Sequence, residues 1–98
     1  MNTIKIKGYE FEGPHDFANA NFNEVSVIYA IVEQNKLIYV GITNNLKERM
    51  SGHHKEDCWR RNISSTSTLY VLIENSEITR QRIEKEIRNS FDTPCNEV

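Results

Sequence analysis

The sequence predicts an α+β domain, a small antiparallel sheet of three central strands plus an N-terminal strand, flanked by helices. Three observations carry this expectation. Residues 25–32 and 37–42 are rich in β-branched side chains and are separated by a short polar stretch, the pattern of a hairpin. A third run of the same kind, Thr68 to Glu74, stands apart from them. Helical segments follow the second and third runs. The order strand, hairpin, helix, strand, helix sets an antiparallel sheet against helices.

Each element has its own local reason. Ile4-Lys5-Ile6-Lys7 alternates apolar and polar, as a half-buried strand does, and Gly13-Pro14 is read as its stop. Residues 19–23 read as loop. Between the hairpin strands, Gln34-Asn35 alone would pair Tyr29 with Val40 and send Tyr29 and Tyr39 to opposite faces. A three-residue loop, Glu33-Gln34-Asn35, pairs Tyr29 with Tyr39 on one face, and this register is the expected one. Thr43 or Asn44 caps a helix running to about His53, with Leu46 and Met50 as its buried stripe. Residues 55–66 are polar and read as a loop or short helical turn. Ser76 caps the last helix, which runs to about Phe91 with Pro94 just beyond.

Composition bounds the function. Leu, Ile, Val and Phe supply 25 of the 98 residues, above the roughly 20% floor below which disorder is the better expectation. The length suits one domain, 1–98, and no apolar run approaches the roughly 18 residues of a membrane span. Two cysteines do not make a disulfide scaffold, so a reduced, cytoplasmic setting is expected. The net charge of −2 lacks the basic balance of a non-specific nucleic-acid binder. The charge is uneven, however. Residues 44–61 hold Lys47, Arg49, Lys55, Arg60 and Arg61 against three acids, while the segments on either side are acidic.

At the hairpin, Val27-Ile28-Tyr29 is followed ten residues on by Tyr39-Val40-Gly41-Ile42-Thr43. Arg49 comes next on a helix, with His53 four residues later, then Glu84 on the last helix and Asn96 after Pro94. In residue type and order this set resembles the GIY-YIG nuclease superfamily over residues 25–96, as a small stand-alone catalytic domain. Val27 stands where the family has glycine, and Val40 where it has isoleucine. Neither change removes a functional side chain.

The helical wheel is consistent with the resemblance. Arg49 and His53 lie about 40° apart on one face. Glu84 lies about 60° from the centre of the Ile83/Ile87/Phe91 stripe, whereas Glu86, about 100° away on the other side, reads as solvated surface.

The resemblance implies a divalent-metal-dependent endonuclease acting on DNA. It implies Mg²⁺ (or Mn²⁺) held by the single carboxylate of Glu84, which suffices because Mg²⁺ keeps several waters and takes a substrate phosphate. Arg49 would face developing phosphoryl charge with a guanidinium that stays protonated. Tyr29 would act as base or orient the water, and a phenol of pKa ~10 needs nearby positive charge to be a base. Tyr39 would hydrogen-bond phosphate or water, His53 would share proton transfer, and Asn96 would fix the geometry. Gly41, Lys47, Lys55, Trp59, Arg60 and Arg61 are the candidate nucleic-acid contacts, Trp59 by stacking.

A single exposed Trp and little groove-length surface lean toward single-stranded or distorted DNA, with further selectivity from the first 24 residues or a protein partner. The rival readings are a catalytically inactive nucleic-acid- or protein-binding module on the same scaffold, and a ligand-free structural protein. A zinc site from His53, His54, Cys58 and Cys95 lacks a paired Cys-x-x-Cys knuckle.

Overall fold

The computed structural model describes residues 2–16, 23–51 and 67–93. These form five strands and two helices: β1 (Asn2–Ile6), β2 (Tyr9–Asp16), β3 (Val27–Glu33), β4 (Lys36–Thr43), α1 (Leu46–Ser51), β5 (Thr68–Ile73) and α2 (Glu77–Ser90). The strands make one sheet in the order β1-β2-β5-β3-β4, every pair antiparallel. The α+β class is as the sequence predicts.

The extra strand is β2. Gly13-Pro14 does not stop the chain but is absorbed within β2, where the pairing with β5 shifts between Glu12 and His15 and the Gly13-Pro14 peptide is cis. A register shift is where a strand tolerates proline, because no ladder N–H is demanded there. Glycine is required at 13. A Cβ would stand 2.7 Å from the Tyr70 ring and 2.8 Å from the Leu69 carbonyl.

Both hairpins turn on two residues with positive φ, Lys7-Gly8 (54° and 86°) and Gln34-Asn35 (49° and 65°). Such turns match the right-handed twist of the strands they join. The β3–β4 loop is therefore two residues long, not three, with Glu33 opposite Lys36 and Val32 opposite Leu37. Tyr29 faces neither Tyr39 nor Val40. The register shifts between Ile31 and Val32, so that Ile31 opposes Tyr39 and Tyr29 opposes Gly41. Ile38 is the extra residue of a bulge. It turns Ile38 and Tyr39 into the same buried layer as Tyr29, and the two tyrosines share a face as diagonal neighbours.

β3 lies between β5 and β4 and is covered on both faces, so Val27 through Ile31 are all fully buried. On one face Val27, Tyr29, Ile31, Tyr39, Leu69 and Val71 pack with Leu46 of α1. On the other, Phe11, Ile28, Ala30 and Val40 pack with Ile83 and Ile87 of α2. Val27 and Val40, the departures from the family triplets, are thus core residues of opposite layers.

The helix termini are tied down individually. In α1 the cap is Asn45, whose Oδ1 accepts the Glu48 N–H at 3.1 Å, one residue beyond the expected positions. Thr43 instead accepts the Asn45 N–H at 3.1 Å. The N–H groups of Leu46 and Lys47 donate to the carbonyls of Val25 and Asn23, which docks α1 beside the start of β3. Ser76 caps α2 as expected, accepting the Thr79 N–H at 3.3 Å. Phe91 is 42% exposed rather than continuing the buried stripe, because it is the C-cap, where the backbone has already turned extended; the buried positions of α2 are Arg80, Ile83 and Ile87.

Candidate active site

The two phenols define the centre. Tyr29 is fully buried and Tyr39 nearly so, with ring centroids 5.8 Å apart and planes tilted by 40°. Gly41 makes this possible, because a Cβ there would stand 2.7 Å from Cζ and Oη of Tyr29 and 2.9 Å from the Tyr39 ring. The Tyr29 ring therefore lies across Gly41 and carries its hydroxyl over β4, the last strand of the sheet.

That hydroxyl makes no hydrogen bond among the described residues, although it is fully buried. Burial pushes the Tyr29 phenol well above its ordinary pKa of 10.0. The Tyr39 phenol beside it adds to the rise, as does Glu84, while the Arg49 guanidinium pulls the other way and is outweighed. Tyr29 therefore keeps its proton at neutral pH in this state.

Arg49 of α1 and Glu84 of α2 are thus both close enough for their charges to be felt at this hydroxyl, with opposite effect. Two helices that flank different faces can both act there because β4 is the edge strand and carries no side chain at Gly41. Arg49 is half-buried and forms no salt bridge among the described residues. The Glu84 side chain is 19% exposed, and its Oε1 accepts from Arg88 Nη1 at 3.2 Å. That i,i+4 pair is on the outside of the helix, a weak contact worth a few tenths of a kcal/mol. Lys47 is exposed on α1. His53, Lys55, Trp59, Arg60, Arg61 and Asn96 lie outside the described residues, as do His54, Cys58 and Cys95.

One acidic position differs from its sequence reading, and one buried arginine joins the site's surroundings. Glu86 is not solvated surface. It is half-buried and accepts a 2.6 Å hydrogen bond from the Tyr9 hydroxyl, fastening α2 to β2 on the side away from Glu84. Arg80, one turn before Glu84, is 5% exposed; its Nη1 donates to the Glu74 carbonyl at 2.9 Å, and its Nε is unpartnered among the described residues. It braces the β5–α2 connection from which Glu84 is set. Its spacing of four from Glu84 was the only sequence signal for it.

A single divalent ion fits these residues. Glu84 is a mostly buried carboxylate with only a weak outer partner, and the orphaned Tyr29 hydroxyl lies within reach of its charge. Among the described residues no group of three or more His, Cys, Asp or Glu forms a denser cage. One carboxylate is enough for an ion that retains water and takes phosphate oxygen.

No helix among the described residues is long and apolar enough to cross a membrane. No curated protein and no solved structure matches the chain significantly. The family model of the GIY-YIG catalytic domain matches residues 25–93, from the segment leading into β3 to just past α2, including Tyr29, Tyr39, Gly41, Arg49 and Glu84. The chain belongs to the GIY-YIG catalytic domain family, in general a family of endonucleases, which implies a nuclease-type function.

Proposed function

We propose that the protein is a divalent-metal-dependent endonuclease that hydrolyses DNA phosphodiester bonds. The observation that carries this reading is the buried, unpartnered Tyr29 hydroxyl held beside Tyr39 between the opposing charges of Arg49 and Glu84. Orphaned polar groups of this kind cost stability and are kept where a ligand completes them.

In this reading Glu84 holds Mg²⁺ or Mn²⁺, which when bound supplies positive charge to a phosphoryl oxygen and to water. Arg49 donates its fork of N–H groups to the phosphoryl oxygens as negative charge develops there. Tyr29, protonated at rest, orients the attacking water by accepting a hydrogen bond from it, and it takes the water's proton only after positive charge around it has let its own phenol proton pass to solvent. Tyr39 donates to phosphate or water. His53 shares the proton transfer, its side chain titrating nearest neutral pH. Asn96 bonds phosphate or a neighbouring hydroxyl, and Lys47, Lys55, Trp59, Arg60 and Arg61 hold the strand. Single-stranded or distorted DNA is the favoured substrate.

One observation favours a second reading, a catalytically inactive module that binds nucleic acid or protein on the same scaffold: Tyr29 is fully buried and burial disfavours its ionisation. Purified protein with Mg²⁺, incubated with one sequence as single strand and as duplex, separates the two. Cleavage by wild type that falls by about 10²-fold or more in both Glu84→Gln and Tyr29→Phe supports the nuclease, the scale of loss typical for a group acting on transition-state charge. Absence of cleavage by wild type, or cleavage by both variants equal to that of wild type, supports the module. Preference for duplex overturns the strand assignment.

A further inference from the structure

Away from the phenols, on the α2 face of the sheet, lies a groove of about 260 Å³ between β1, the tip of the β3–β4 hairpin and the end of α2. Its apolar walls include Ile4, Leu37, Tyr70 and Phe91, and Lys5 and Asn35 complete the lining. Phe91 is 42% exposed and Tyr70 half-buried, so both aromatic rings are open to a ligand. Among the described residues no acidic side chain lines it, in a chain with more acids than bases.

We propose that this groove is a subsite for one unstacked nucleobase of the bound DNA strand, a reading that rests on DNA being the substrate. Size is the first argument. The volume falls just below the roughly 300–1,000 Å³ of pockets for drug-sized ligands, so it suits a single aromatic heterocycle. Chemistry is the second. The walls include two aromatic rings, Tyr70 and Phe91, and an aromatic wall stacks the face of any base.

Placement is the third argument. Leu37 lines the groove and Tyr39, two residues along the same edge strand, belongs to the candidate active site on the opposite face. Two strand residues span about 7 Å, close to the spacing of successive nucleotides. A strand lying over β4 at Tyr39 can thus turn one base around the edge into the groove. A paired duplex cannot do this without opening, which agrees with a preference for single-stranded or distorted DNA.

The test uses full-length protein carrying Glu84→Gln, so that binding is read without cleavage, and a fluorescent ten-residue oligothymidylate as probe. Phe91→Ala is the variant of choice because the side chain is exposed and a thermal melt will show whether the fold is kept. The expected result is a loss of affinity of about fivefold or more, in the range of one base–aromatic stack, with Leu37 methyl resonances shifted on addition of the probe. Replacing one thymidine at a time by an abasic residue is expected to reproduce that loss at one position in the parent and to add nothing in Phe91→Ala. Unchanged affinity in Phe91→Ala overturns the subsite, as does a Leu37 shift that follows protein concentration instead of probe, which would make the groove a contact between copies. Cleavage by the wild-type chain is measured separately. Cleavage without Phe91 dependence rejects the groove and leaves the nuclease, whereas Phe91-dependent binding without cleavage does the reverse.

Discussion

Tyr29 lies across Gly41, its cross-strand neighbour, so closely that a single added carbon at Gly41 would come within 2.7 Å of the phenol oxygen. The glycine is therefore a space requirement of the tyrosine, and its φ is not in the left-handed region. Gly41→Ala should force both rings to move. Overpacking of a filled core costs about 1–3 kcal/mol, so urea unfolding should show a loss of that size. Near-ultraviolet dichroism should report the displaced tyrosines, and cleavage should fall with them. A variant as stable and as active as wild type would mean that Tyr29 does not occupy this position.

Tyr29→Phe separates stability from function. The hydroxyl it removes has no hydrogen bond to lose among the described residues, and leaving a buried hydroxyl unsatisfied costs about 1–3 kcal/mol. The variant should equal or exceed wild type by about 1 kcal/mol, a rise of roughly 4–8 °C in Tm for a chain of this size. Activity should be lost. A marked drop in Tm would reveal a structural partner for the hydroxyl.

The same phenol gives the protein an alkaline weakness. Burial raises the pKa of Tyr29 in the folded state above its ordinary 10.0. Above about pH 10 the unfolded chain releases this proton while the folded chain holds it, so the unfolded state binds fewer protons and stability falls as pH rises. Below that pH both states are protonated and the group contributes no slope. Urea midpoints of wild type minus Tyr29→Phe should be flat from pH 7 to 9 and should move against wild type from about pH 10 upward.

The β3–β4 turn is held by two residues that dislike its geometry. Gln34 and Asn35 both have positive φ, a region that costs a non-glycine residue about 1–2 kcal/mol, less for Asn. Gln34→Asn, with the groove residue Asn35 left in place, supplies a side chain that visits this region more readily and should stabilise by up to about 1 kcal/mol. Cleavage should not change, because the register of Tyr29 and Tyr39 is set by the Ile38 bulge and not by the turn. Altered activity would show that the turn, too, fixes the site.

What the sequence discloses here follows from which forces are local. The cap at Ser76, the extent of α2, the three central strands and the shared face of Tyr29 and Tyr39 all follow from spacing and residue type, and all are present. The bulge at Ile38 does not follow, since one extra apolar residue in an apolar strand leaves no mark in the pattern. It compensates for a turn one residue shorter than expected, so the shared face is reached by another route. β2 was hidden because Gly13 and Pro14 are strand breakers by propensity, and only the ring of Tyr70 and the register shift make them fit. Glu86 was misjudged for lack of its partner, since Tyr9 lies 77 positions away. Nothing local announces that contact.

Among the described residues β4 has a neighbour on one side only, so the strand that carries Tyr39 and Gly41 forms a rim of the sheet. A long polymer can be laid on such a rim at any point along its length, with both arms trailing freely past the molecule. Free ends need never be found or threaded, and breaks in the interior of a chain are the natural outcome of that geometry.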